Sequence, residues 1–184
     1  MRDGATLPPA WVTAGVRQLS LVLAVAGGIV LVAITVVTDL SVVGRGLIWM
    51  GLRPIPGDYE IVEAGTAFAI FCFMPWCQFN RQHAAVDIFT ASFPPVVIRI
   101  TDVIIDVTFA VVVTILVWRM TTGLGDKFGN GQETFILQMP VWWTYAAGMI
   151  GAVAWALVTY WCVVDSVVAL VVGRDRPTAG EAGP

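Results

Sequence analysis

The sequence predicts an all-α integral membrane protein: four transmembrane helices, a short interfacial helix between the second and third spans, and both termini in the cytoplasm. Three observations lead there. Of its 184 residues 58% are hydrophobic and only 12% are charged, whereas soluble domains carry about 25% charged residues. Uncharged runs long enough to cross a hydrocarbon core of ~30 Å recur along the chain. Tryptophan, whose amphipathic ring favours the headgroup level, falls near the ends of these runs at Trp76, Trp118, Trp142, Trp143 and Trp161.

The first run, residues 18–38 between Arg17 and Asp39, is rich in Val, Leu, Ile and Ala. It is too long for the apolar core of a cleavable signal, so the segment is expected to stay attached. The second span covers residues 61–78, inside the uncharged stretch between Glu63 and Arg81 and its flank. The third, 98–118, is unusual because only 12 residues separate Asp106 from Arg119, which puts Asp102 and Asp106 within or beside the helix. Pro140 suits a first helical turn, so the fourth span is placed at 140–164. Between the spans, residues 39–60 contain Pro54, Pro56 and Gly57, and residues 121–139 contain Gly123, Gly125, Gly129 and Gly131, so both read as irregular loops. Val86, Ile88, Phe89 and Phe93, before Pro94 and Pro95, form the expected interfacial helix. Residues 1–17 and 173–184 then make cytoplasmic segments around one membrane domain, 18–172. With both termini inside, Arg2, Arg17, Arg81, Arg99, Arg174 and Arg176 face the cytoplasm, against Arg45, Arg53, Arg119 and Lys127 outside, in the sense of the positive-inside rule.

Ten basic against 13 acidic groups, with no basic block, argue against a nucleic-acid partner. Cys72, Cys77 and Cys162 all lie in apolar runs and read as buried structural thiols without disulfide chemistry. One histidine, His83, is too few for paired haem ligands or for a zinc site, so no cofactor and no metal are expected. No catalytic apparatus is visible, and the chain is not expected to be an enzyme.

Ionisable groups inside a membrane are the natural suspects for function. Asp106 is the leading one, sharing a helix face with Asp102 and with Arg99. A surface network of these three near the cytoplasmic headgroups, or a pairing of Asp106 with a partner subunit's arginine, explains it better than a proton relay, which has no second acid or histidine to continue it. Asp106→Asn is therefore expected to preserve transport wherever assembly survives. Glu60 and Glu63, one turn apart at the start of the second span, complement a helix N-terminal dipole. Arg81, His83 and Asp87 read as an interfacial polar clamp. Small residues four apart, Ala24 with Gly28, Gly65 with Ala69 and Gly148 with Ala152, allow close helix packing.

Three motifs occur in order on this frame. Val43-x-Arg45 is followed by Pro56-Gly57-Asp58-Tyr59-Glu60-Ile61-Val62-Glu63. Arg81-Gln82-His83-Ala84-Ala85-Val86-Asp87 precedes Phe93-Pro94 and Arg99. Leu137-Gln138-Met139-Pro140-Val141-Trp142-Trp143-Thr144-Tyr145 opens the fourth span. Over roughly residues 18–170 the chain resembles the small membrane subunit of tripartite ATP-independent periplasmic (TRAP) transporters, departing at Ala84 and Ala85, where the family often has a β-branched and a basic residue. The resemblance implies a noncatalytic, multi-pass subunit of a bacterial or archaeal cytoplasmic membrane. It would be a scaffold for a large membrane subunit that carries the sodium and substrate sites, fed by a periplasmic protein that captures an organic acid. Membrane lipid is the other partner. On that reading Arg53, Asp58 and Glu60 face the periplasm, where they help dock the binding protein or simply solvate the loop. A stand-alone four-helix multidrug exporter and the membrane anchor of an electron-transfer complex are the alternatives.

Overall fold

The computed structural model describes residues 10–80 and 95–173, and within them the chain forms four long helices. Helix α1 runs Ala10–Gly46, α2 Asp58–Phe79, α3 Pro95–Asn130 and α4 Trp142–Val172, with a single 3-10 turn at Ile48–Met50. All four are long and apolar enough to cross a membrane. The expected interfacial helix, with Arg81, His83 and Asp87, lies outside the described residues.

The helices form a row in the order α1, α2, α4, α3, with only a minor contact between α1 and α4. Glycines set the spacing within it. A Cβ on Gly27 would lie 3.0 Å from the Cys72 Cβ, and one on Gly65 2.7 Å from Ile34, so α1 and α2 meet almost backbone to backbone. Gly151 of α4 comes equally close to α2, where an added Cβ would sit 2.7 Å from the carbonyl of Phe71. The reason lies four residues on. Pro75 is inside α2 and has no N–H to return to that carbonyl, so a neighbouring backbone covers the freed group instead. Gly65, Ala69, Gly148 and Ala152 therefore lie at packed positions, as their spacing suggests. Gly28 does not: nothing lies within 4 Å of its Cβ direction, and Gly27 makes the contact. Replacing Gly27 by leucine is expected to destabilise the bundle, whereas Gly28→Ala should be neutral or slightly stabilising, by up to ~1 kcal/mol from helix propensity. Unfolding midpoints in mixed micelles check the pair.

Two loops are shorter than the sequence indicates. Helix α1 continues to Gly46, and α3 continues through Gly123, Gly125 and Gly129 to Asn130, so that of the four glycines expected in the second loop Gly131 alone has a positive φ. Inside a long helix these glycines cost about 1 kcal/mol each, but Gly123 gains a close contact with the Tyr145 ring.

Helix α3 is also out of phase with its neighbours. The uncharged stretches of α1, α2 and α4 are centred near Gly28, Cys72 and Val153, and contacts bring these centres to one level: Gly27 on Cys72, Gly151 and Gly148 on Phe71. The α3 residue at that level is Met120, whose methyl group lies against Gly148. The uncharged stretch of α3 is instead centred near Val112, eight residues or ~12 Å away along the helix. Asp106 lies 14 residues from Met120, ~21 Å towards the end of the bundle where α2 stops. Arg119, expected in the outer loop, is an exposed residue at the central level, and Trp118 beside it is 66% exposed there instead of at a span end. A central arginine costs on the order of 2.5–3.5 kcal/mol to insert.

Candidate functional site

Polar side chains gather at the two ends of the bundle. At the end where α2 begins, Gly57 adopts φ +77° to turn the chain into the helix, and the first helical residue, Asp58, faces the end of α1. Its carboxylate accepts a hydrogen bond from the buried Ser41 hydroxyl at 2.5 Å and an ion pair from Arg45, four residues further along α1. The other carboxylate oxygen accepts the Tyr59 amide. The loop between α1 and α2 returns so tightly that a Cβ on Gly44 would be 2.6 Å from the Arg53 carbonyl.

Residues 132–141 form a small hairpin closed by the Glu133–Pro140 bridge and by the bonds from Thr134 N–H to the Met139 carbonyl and from Val141 N–H to the Gln132 carbonyl, both 2.9 Å. Its tip turns through Gln138, a non-glycine residue at φ 52°. The tip reaches α2. Glu60 accepts the backbone N–H groups of Ile136 and Leu137 at 2.7 and 2.9 Å, and the Leu137 side chain lies directly over Gly57. Glu60 therefore clamps a loop, which differs from the dipole-complementing role its position suggests. Phe135, at the tip, is 99% exposed. Below the hairpin Trp142 meets Phe128 edge-on at 5.5 Å and Trp143 at 6.0 Å. Glu60→Ala is expected to release the hairpin, read as faster hydrogen exchange at the Ile136 and Leu137 amides with the helical amides of α4 unaffected.

At the other end Arg99 donates to the Gly173 carbonyl at 2.8 Å, placing its charge on the C-terminal dipole of α4. Two turns further into α3, Asp106 is only 2% exposed and accepts the hydroxyl of the equally buried Ser166 of α4. Asp106 is thus a helix–helix fastener at a buried position, and Asp102, half-buried, lies between it and Arg99 on the same face. Between the two ends Thr114 and Tyr160 share a 2.5 Å hydrogen bond from α3 to α4.

Of the candidate residues, the fold unites Arg45 with Asp58, and it gives Glu60 to the hairpin. Arg53 and Glu63 are exposed, and no described residue pairs with either side chain. Ser41, Ser166 and the two hairpin amides were not singled out by the sequence, since a serine in an apolar run carries no sign of its partner. Cys72 and Cys162 are buried and Cys77 half-buried, none of them in a disulfide, and the Cys162 thiol donates to the Gln78 carbonyl at 3.8 Å. No group of three His, Cys, Asp or Glu side chains suited to a metal ion occurs among the described residues.

The sequence pattern of the DctQ component of tripartite ATP-independent periplasmic transporters matches residues 34–170. The chain belongs to the DctQ family. No curated protein and no solved structure matches it. The match begins within α1 and ends within α4, so the contacts of Ser41, Arg45 and Asp58 and those of Asp106 and Ser166 in this DctQ-family bundle lie inside the matched residues, while Gly173 lies just beyond them. DctQ is a transporter component, and the chain is a multi-pass membrane protein of that family.

Proposed function

We propose that this chain is the fixed scaffold of a TRAP transporter in a bacterial or archaeal cytoplasmic membrane, with both termini cytoplasmic. It holds a large transport subunit during sodium-driven uptake of an organic acid delivered by a periplasmic binding protein. The observation that best supports a static role is how the helices are fastened. Glycine contacts lock α1 to α2 and α2 to α4, and Asp58, Glu60, Arg99 and Asp106 each tie one element to another. The hydroxyls of Thr35, Thr38, Thr108, Thr121 and Thr122 bond back to carbonyls four residues earlier in their own helices, which suits packing against apolar surroundings. Sodium and substrate sites then belong to the large subunit.

The outer face available to the binding protein is narrower than the sequence indicated, because Asp58 and Glu60 are occupied internally. Of Arg53, Asp58 and Glu60, Arg53 is the one left for docking, beside exposed side chains such as Tyr59 and Phe135. Arg53→Glu is expected to raise the binding-protein concentration needed for half-maximal uptake several-fold while leaving the maximal rate, since a rim charge acts mainly on encounter.

Reconstituted uptake tests the whole reading. Proteoliposomes holding the large subunit and supplied with binding protein should show sodium-dependent uptake only when this chain is included. Unchanged uptake without it contradicts the proposal.

A further inference from the structure

We propose that Arg119 docks against a carboxylate on a membrane helix of the large subunit, making the outward face of α3 the contact surface inside the bilayer. The inference rests on the reading that this chain works beside such a subunit. Met120 is level with Gly148 and Phe71, which puts its neighbour Arg119 at the centre shared by the uncharged stretches of α1, α2 and α4. Half of a ~30 Å hydrocarbon core separates that level from either headgroup region, beyond the reach of an arginine side chain from mid-helix. Snorkelling serves arginines near helix ends, and Arg119 is not one of them.

No described residue supplies the missing anion. The helix positions three and four residues away are Ile115, Leu116, Thr122 and Gly123, none acidic. Asp126, seven residues on, is ~10 Å further along the axis. Among the described residues no side chain pairs with Arg119. A second copy of the chain also fails, because a two-fold axis along the membrane normal brings equal levels together and would set Arg119 against Arg119. The surroundings are those of a protein contact. Thr108, Val112, Ile115, Arg119, Thr122 and Asp126 recur at alternating four- and three-residue spacing, all exposed, on the side of α3 turned away from α4. Apolar anchors interrupted by hydroxyls, with one cation at the central level and Asp126 two turns away at the end of the stripe, fit a partner helix that presents Asp or Glu opposite Arg119, where a charge-assisted, bidentate pair replaces water.

The test is co-purification of the detergent-solubilised complex through a tag on this chain, with a photoreactive residue in place of Ile115. Arg119→Leu should lower recovery of the large subunit at least tenfold, Arg119→Lys, which keeps the charge but loses the two-point fork, should give an intermediate recovery, and illumination should yield an adduct with a large-subunit helix containing an acidic residue. Because Arg119 is exposed, Arg119→Leu should keep the helical content and elution of the parent. Full recovery with Arg119→Leu, or adducts with lipid alone, overturns this assignment while leaving the scaffold reading intact. Failure of the parent chain to recover any large subunit removes both.

Discussion

Gly151→Leu is expected to be the most damaging single change in the bundle, forcing α4 away from α2. A Cβ there already falls 2.7 Å from both the carbonyl carbon and oxygen of Phe71, and these are backbone atoms that no rotamer change moves aside. Overpacking of a close interface costs about 1–3 kcal/mol, and here the displaced helix also uncovers the carbonyl that Pro75 leaves unbonded. Gly148→Ala, one turn earlier, makes the contrast. Its Cβ would meet the Met120 methyl at 3.3 Å and the Phe71 ring at 3.4 Å, ends of side chains that can shift by a few tenths of an ångström. Unfolding in mixed micelles should show a large loss for Gly151→Leu and a small one for Gly148→Ala; equal losses contradict the packing described.

Gly44→Val is expected to come next, with its damage at the outer loop. The added side chain would meet the Arg53 carbonyl oxygen at 2.6 Å and its carbon at 3.1 Å, driving the loop off the end of α1. That loop leads directly into Gly57 and Asp58, so Ser41 and Arg45 would lose their grip on the Asp58 carboxylate. A destabilisation of about 1–3 kcal/mol follows from the overpacking. Protease access within residues 47–57 should rise with it. Gly46→Val is the control, since nothing lies within 4 Å of its Cβ direction. Similar protease access in the two variants would contradict the tight return of the loop.

The four helices were legible because hydropathy records which segments lie among apolar surroundings, and this chain alternates such segments with short polar ones. The DctQ motifs were legible for a related reason: Pro56-Gly57-Asp58 and Met139-Pro140 mark turns whose chemistry is local. What the sequence withheld is register. Three helices have their uncharged stretches centred at one level, and only the contacts of Met120 and Gly148 reveal that α3 is shifted by about two turns. Arg119, and not Asp106, is therefore the charge at the level where the other three uncharged stretches are centred. Partner identity was hidden likewise. Glu60 and Glu63 look equivalent at the start of a helix, yet only Glu60 faces the amides of Ile136 and Leu137, some 76 residues away in sequence. Gly28 was preferred to Gly27 by its spacing from Ala24, while the crossing of α1 over α2 is set by which face Cys72 and Ala69 present.

On the scaffold proposal the helices of this chain stay fixed with respect to one another while the large subunit moves. Gly27 lies opposite the native Cys72, with an added Cβ 3.0 Å from the cysteine Cβ, a little closer than the ~3.5–4.5 Å that a disulfide spans. Gly27→Cys should therefore form a bond that pins α1 to α2 after only a slight separation of the helices. Sodium-dependent uptake by the reconstituted transporter is predicted to run at the same rate in the oxidised and reduced states of this variant. Uptake that stops on oxidation and returns with reductant would show that α1 and α2 must move against each other, and would contradict the fixed frame.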